Sequence, residues 1–350
     1  MTTLRMAVIG TGALGRHHAR ILSEMPGVEL VAVADMNPRA AAETAQRCRT
    51  RSTGDYRELL GTVQAAVVAV PTSAHRQVAG DFLAAGADVL VEKPIATGVD
   101  EARELVELAR RHEALLQVGH IERFSPALAA ARPFLDDPKY IRVERFAPFS
   151  FRSTDIGVVH DLMIHDIDLV LDLVGAPVAD IQALGTSILG EHEDCVQARL
   201  TFSNGTIADL AANRVSPVVR RQMQVWGPLG CVQIDFASRE VVHYGRSSLL
   251  QFGSTPLERS REPGADIEKL KSEIFGTLIE LHKPLVAACD QLTEELKAFT
   301  HCVKTRQPPL VSGQAALEAM LVARRILDRT AAAPWMRPLA ETLPVHRKAG

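Results

Sequence analysis

The chain has 350 residues, with 39 Lys+Arg against 42 Asp+Glu and a formal net charge of -3. Hydrophobic residues make up 47% and charged residues 23%, a globular balance that excludes a mostly disordered chain. The length exceeds what one core usually serves, so two domains are expected. With no basic tract and only 5% aromatic residues, nucleic acid is not the expected partner.

The first third alternates strand and helix. Met6–Ile9 reads as a short buried strand, followed by the turn Gly10-Thr11-Gly12-Ala13-Leu14-Gly15 and a helix with apolar Ala19, Ile21 and Leu22. Val28–Ala34 is a second strand ending at Asp35, and Asn37-Pro38 opens another helix. Further strands are expected at 65–70, 89–91 and 115–118, separated by helices ending near Gly86 and His112. Strands apolar on both faces that alternate with helices predict a doubly wound parallel sheet, an α/β Rossmann domain over 1–124.

Beyond residue 124 the pattern turns into strands at 140–146, 181–187, 196–202, 207–213, 222–226 and 231–235. Ser203-Asn204-Gly205 and Gly227-Pro228-Leu229-Gly230 are hairpin signals. An α+β domain with an open, mainly antiparallel sheet is expected over 125–335, closed by helices at 284–305 and 314–329, with a tail over 336–350. The charged, Gly/Pro-punctuated stretch 258–271 reads as a mobile loop. No cleavable apolar leader and no membrane-length apolar run is visible. The five cysteines, Cys48, Cys195, Cys231, Cys289 and Cys302, are scattered without CxxC spacing. A soluble, cytoplasmic protein without structural zinc is expected.

The glycine turn follows a strand, opens a helix and has an acidic residue about 20 positions later, which together read as a dinucleotide site. Gly10 permits the tight turn, Gly12 lets a pyrophosphate approach, and Gly15 lets helix and strand pack closely. The helix N-terminus favours phosphate. Asp35 is placed to accept the ribose hydroxyls, favouring NAD over NADP, although Asn37 and Arg39 leave room for a 2′-phosphate. Lys93, in Glu92-Lys93-Pro94, follows a strand C-terminus, the edge where open parallel sheets bind ligands. Alternatively it is an ordinary surface lysine. Asp161 and His165 share a helix face, with Asp168 and Asp172 continuing the stripe. A His beside a carboxylate is an oriented acid/base, or else part of a solvated stripe. A metal site among His160, Asp161, His165, Asp166 and Asp168 is not expected, because 160 and 165 do not share a face.

With Glu92-Lys93-Pro94 in place the chain resembles the glucose-fructose oxidoreductase / inositol dehydrogenase / MocA (Gfo/Idh/MocA) family from about Leu4 to Arg329. Val70–His75, Val118–Pro126, the Gly157–Asp168 helix and the Trp226–Asp235 hairpin carry the same likeness. The segments 119–126 and 153–168 are similar to its UDP-N-acetylglucosamine 3-dehydrogenase subgroup. The resemblance implies an NAD-dependent oxidation of a sugar hydroxyl, with Lys93, His165 and Asp161 catalytic; whether Lys93 or His165 takes the proton first stays open. It implies cofactor contacts from Gly10, Gly12, Ala13, Leu14, Gly15, Asp35, Pro71, Thr72, His75, Glu92, Lys93 and His120. Substrate contacts are expected from Lys93, Arg123, Asp161, His165 and Arg214, whose guanidinium suits a diphosphate. The site is expected in the cleft between the domains, and the open sheet face is expected to be covered in a homodimer or homotetramer. Rival readings are a free-sugar or inositol dehydrogenase, a catalytically idle NAD-binding regulator, and a metal-dependent hydrolase.

Overall fold

The computed structural model describes residues 3–151 and 156–331. Ser153–Asp155, the start of one motif above, and the tail at 336–350 lie outside the described residues. The chain divides into two units, one comprising the segment up to Phe124 together with Cys289–Arg324, the other Ser125–Ala288 and the segment from Arg325.

The first unit alternates β1 (Leu4–Ile9), α1 (Gly15–Glu24), β2 (Val28–Ala34), α2 (Pro38–Cys48), β3 (Arg51–Thr53), β4 (Ala65–Val68), α3 (Thr72–Ala84), β5 (Asp88–Glu92), α4 (Val99–Arg111) and β6 (Leu116–Gly119). The strands form one parallel sheet in the order β3-β2-β1-β4-β5-β6. Because side chains alternate along a strand, Ala7 and Ile9 enter a core with Phe82, Leu83 and Leu105 of α3 and α4. Met6 and Val8 enter another with Leu22 of α1. The doubly wound Rossmann sheet expected from the sequence is present.

The second unit holds α5 (Pro126–Ala131), β7 (Tyr140–Phe146), a π-helical turn (Val159–Met163) running into α6 (Ile164–Val174), then β8 (Val178–Thr186), β9 (Cys195–Phe202), β10 (Ile207–Asn213), β11 (Arg220–Gly227), β12 (Gly230–Asp235) and β13 (Glu240–Arg246). Short helices α7 (Ser248–Phe252), α8 (Pro256–Arg259) and α9 (Ile267–Glu273) precede β14 (Ile279–His282). The sheet order is β14-β13-β12-β11-β7-β10-β9-β8. Both hairpins signalled by their turns are there, and one parallel pair, β7 with β10, makes the sheet mixed. Ile141, Val143, Ala208 and Leu210 are buried. The opposite face carries polar ladders, Arg199 on Asp209 at 2.7 Å and Tyr140 on Asp209 at 2.8 Å. An antiparallel sheet of this kind tolerates one polar, solvent-facing side.

Three local expectations differ. The stretch 258–271, expected as a loop, contains the end of α8 and part of α9; Thr255 and Glu258 form a capping box and Asp266 caps α9. The helix expected from 284 starts at Gln291, where Asp290 accepts from Thr293 N at 3.0 Å. That helix, α10 (Gln291–Thr305), and the larger part of α11 (Gly313–Ala331) belong to the first unit, not the second. Leu292, Leu296 and Phe299 fill the core on the α1 side, and Val311, Leu317 and Met320 the other. An amphipathic stripe says that a helix covers a sheet without saying which sheet.

Candidate active site

The glycine turn fits a dinucleotide by its own sterics. Gly10 has φ +91°, and a Cβ there would stand 2.4 Å from the Ala69 carbonyl oxygen. A Cβ on Gly15 would stand 1.8 Å from the Gly10 carbonyl oxygen, whereas one on Gly12 would meet nothing within 4 Å. Gly10 and Gly15 are therefore fixed by the fold, and Gly12 borders open space on which a phosphate can settle. A cavity of about 980 Å³ is lined by Gly10, Gly12, Asp35, Met36, Tyr56 and Pro71, among others. Ala13 and Leu14 are exposed on the turn into α1, and Thr72 opens α3.

Asp35 is held rigidly. Its Oδ2 accepts from the Thr11 N–H at 2.7 Å and the Thr11 hydroxyl at 2.9 Å, and its Oδ1 accepts from Asn37 N at 2.8 Å. Burial pushes this carboxyl up, but the donors from Asn37 and Thr11 outweigh it and leave the pKa below the usual carboxylate value. The rim thus carries a fixed anion. Arg39 is paired with Glu43 at 3.0 Å on an exposed helix face. Tyr56, which the motif reading passed over, lines the same cavity and donates to Asp81 Oδ2 at 2.7 Å. Burial and Asp81 push its pKa up to about 12. It belongs to a 3-10 turn rather than a motif, so no spacing could have revealed it.

At the end of β5, Glu92 is buried and Lys93 half-buried. Glu92 Oε1 lies 2.7 Å from His18 Nε2. A Cβ on Gly119 would come within 2.9 Å of Glu92 Oε2, so glycine there makes room for the carboxylate. His75, expected beside the cofactor, sets Nδ1 at 2.8 Å from the Pro94 carbonyl and Nε2 at 2.9 Å from the Val70 carbonyl, and the neutral ring donates to one of the two. It ties the loop after β4 to Pro94, and burial lowers its pKa against the pull of those carbonyls. His120 is fully buried; desolvation, with the charges of Lys93 and Arg123 nearby, holds its pKa down to about 3. At neutral pH it is an uncharged ring. Arg123 is buried and donates to the Leu310 carbonyl at 3.0 Å.

In the second unit Asp161 lies on the π-helical turn and His165 at the start of α6, both half-buried. The four-residue spacing therefore crosses a change of helix type. Two buried ion pairs and one buried carboxylate that caps a backbone N–H support this segment or its entry. Arg145 of β7 grips Asp166 with Nε at 3.0 Å from both carboxylate oxygens and a second nitrogen at 2.7 Å. Glu193 accepts from Val159 N at 3.1 Å, and a Cβ on Gly157 would lie 2.0 Å from its carboxylate. Arg214 donates to Asp194 at 2.7 Å and to the Ile156 carbonyl at 2.6 Å. Arg214, expected to receive a diphosphate, is thereby committed to holding the entry to the turn. Asp172, expected in the polar stripe, is paired with Arg132, and Asp168 is buried. Glu193 and Asp194 were missed because nothing local marks a carboxylate whose partner lies 34 residues away, as Val159 does from Glu193, or 20 away, as Arg214 does from Asp194.

Residues 4–120 match the model of the oxidoreductase family with an NAD-binding Rossmann fold, and residues 135–233 match the GFO/IDH/MocA C-terminal domain. The chain is 36% identical to UDP-N-acetylglucosamine 3-dehydrogenase of Acidithiobacillus ferrooxidans over 297 residues, 83% of this chain and 92% of the relative. The chain belongs to the Gfo/Idh/MocA oxidoreductase family. A solved structure of that same dehydrogenase superposes with a TM-score of 0.83 at 31% identity, covering 96% of this chain and 100% of the other. The scyllo-inositol 2-dehydrogenase (NAD(+)) of Bacillus subtilis is 28% identical over 61% of this chain and 68% of its own. A levoglucosan dehydrogenase in complex with NADH shares the fold at a TM-score of 0.77 and 18% identity, covering 94% and 97% of the two chains. As a Gfo/Idh/MocA member the chain is an NAD-binding oxidoreductase, as its motifs led one to expect. Among the described residues no helix is long and apolar enough to cross a membrane.

Proposed function

We propose that this protein oxidises the 3-hydroxyl of a UDP-N-acetylglucosamine-type nucleotide sugar with NAD. The observation that carries the reading is the likeness to the Acidithiobacillus enzyme, which extends over 92% of that enzyme's length. The fixed carboxylate of Asp35 favours NAD over NADP, because a 2′-phosphate would meet an anion already committed to its place. Bound NAD supplies the hydride acceptor. Gly10, Gly12, Ala13, Leu14, Gly15, Asp35 and Pro71 would hold its adenosine and phosphates. Thr72, His75, Glu92 and His120 stand in the proposal as neighbours, His75 acting through Pro94.

Oxidation of an alcohol releases a proton, and a side chain must accept it. Lys93 or His165 takes that proton, and Asp161 orients the imidazole or holds the substrate. His120, kept neutral beside Lys93, adds no second positive charge there. Arg123 remains a substrate-side proposal. The exposed face of the eight-stranded sheet, with half-exposed Leu184 at its edge, is proposed as a contact between copies in a homodimer or homotetramer. Five cysteines that form no disulfide with one another agree with a cytoplasmic setting.

The test is a panel of UDP-sugars, free sugars and inositols with NAD or NADP, followed by absorbance of the reduced nicotinamide. Turnover of UDP-N-acetylglucosamine with NAD, inhibited by UDP, is expected. Turnover of inositol or a free sugar without inhibition by UDP would replace this reading with the simpler dehydrogenase.

A further inference from the structure

Beneath Lys93 lies a cluster that the reaction does not use directly. His18 of α1, Glu92 of β5 and Glu295 of α10 bring one ligand-capable atom each to within 4.8 Å of one another. Glu295 and His18 are fully buried, and the Glu92 side chain is 12% exposed. His18 Nε2 meets Glu92 Oε1 at 2.7 Å, and its Nδ1 has no hydrogen-bond partner among the described residues. The ring therefore donates through Nε2 to the carboxylate. Neither carboxyl oxygen of Glu295 has a partner among the described residues. Gln117 of β6 contributes only Nε2, at 3.5 Å from the Glu295 backbone carbonyl. The 3-10 turn Ile121–Phe124 packs on α10 and brings buried Glu122 and Arg123, the latter bonded to the Leu310 carbonyl.

Two ionised carboxylates side by side in such a place have acceptors only, and nothing to donate between them. A proton on one of them turns the repulsion into a hydrogen bond. Glu92 already accepts from His18, so the proton belongs on Glu295. We propose that Glu295 is a positioning residue that remains a carboxylic acid in the folded protein and, with His18, clamps the Glu92 carboxylate and so fixes the strand end carrying Lys93. Desolvation, and secondarily the charge of Glu92, raises the Glu295 pKa well above the ordinary value, in the same sense. The link to Lys93 rests on the function proposed above; the protonation does not.

The sign follows from linkage. Below the ordinary carboxylate range both folded and unfolded chains hold this proton. Above it the unfolded chain ionises first, so stability is lost as pH rises, until the folded pKa is passed. A glutamine in place of Glu295 would have no proton to lose. The experiment follows thermal midpoints of the full chain and of Glu295→Gln from about pH 5 to about pH 9. The midpoint of Glu295→Gln is expected to gain on the native chain by a few degrees as pH rises. A variant that loses ground with rising pH would overturn the proposal. Infrared spectra of the native chain at mildly alkaline pH need no variant: the carbonyl stretch of a protonated carboxylic acid is expected, and its absence would overturn the proposal. So would a stoichiometric divalent metal, found by elemental analysis and lost in Glu295→Gln. Glu295→Ala is expected to lower kcat more than tenfold with the KM for NAD little changed, and Glu295→Gln to restore kcat. An unchanged kcat in Glu295→Ala would overturn the clamp. Complete inactivity of the native chain on the panel would overturn the function instead, leaving the midpoints and spectra to decide protonation.

Discussion

The two units hold their functional groups by different means. In the first, a contiguous turn does the holding: Gly10 and Gly15 have no room for a side chain, and Thr11 ties down Asp35 through its own N–H and hydroxyl. In the second, the segment bearing Asp161 and His165 is braced from afar, by Arg145 at a separation of 21 residues and Glu193 at 34. Backbone geometry gives a site whose errors are steric and local. Buried charges give one whose errors are electrostatic, because a change there alters how a charge is compensated away from water.

Substitutions should bring out that difference. The largest effect is expected at Lys93: Lys93→Ala should lower kcat about 10³-fold while NAD binding, followed by fluorescence titration, is kept. Unchanged turnover would remove Lys93 from the chemistry. Next comes the brace. Asp166→Ala removes the carboxylate that Arg145 grips with three short contacts, and a loss of about 3–5 kcal/mol is expected in denaturant unfolding of the second unit. A loss confined to the first unit would break the comparison. Asp35→Ser should instead leave folding nearly intact and shift the NAD to NADP preference about tenfold or more toward NADP, read as a ratio of kcat/KM. Arg214→Lys separates bracing from substrate binding: a lower thermal midpoint with little change in substrate KM is expected, and a KM raised about tenfold would restore Arg214 as a phosphate ligand.

The smallest effect is one of pH. His120 titrates near 6.5 in the unfolded chain and at about 3 in the fold, so stability falls as pH drops through that window. His120→Gln should flatten the acid side of the midpoint profile, and an unaltered profile would show that His120 is not buried uncharged.

The same contrast decides what could be read from sequence. The parallel sheet was legible because most of its strands are apolar on both faces and their turns are punctuated by glycine or proline; the edge strand β3, Arg51-Ser52-Thr53, is polar and was not read from the sequence. The dinucleotide turn was legible because its parts are adjacent in the chain. Asp161 and His165 were found through a helical spacing, yet a π-helical turn runs from Val159 to Met163, which no periodicity announced. Arg145, Glu193, Asp194 and Glu295 were not found as partners, since each acts on a residue distant in the chain. The fate of α10 was hidden for the same reason, its apolar stripe being suited to either sheet.

The central claim concerns which bond to hydrogen is broken. The direct measurement supplies UDP-N-acetylglucosamine deuterated at carbon 3 together with NAD and weighs the reduced nicotinamide by mass spectrometry. The account predicts that the deuterium is found on the nicotinamide. Turnover that yields reduced nicotinamide free of deuterium would contradict it.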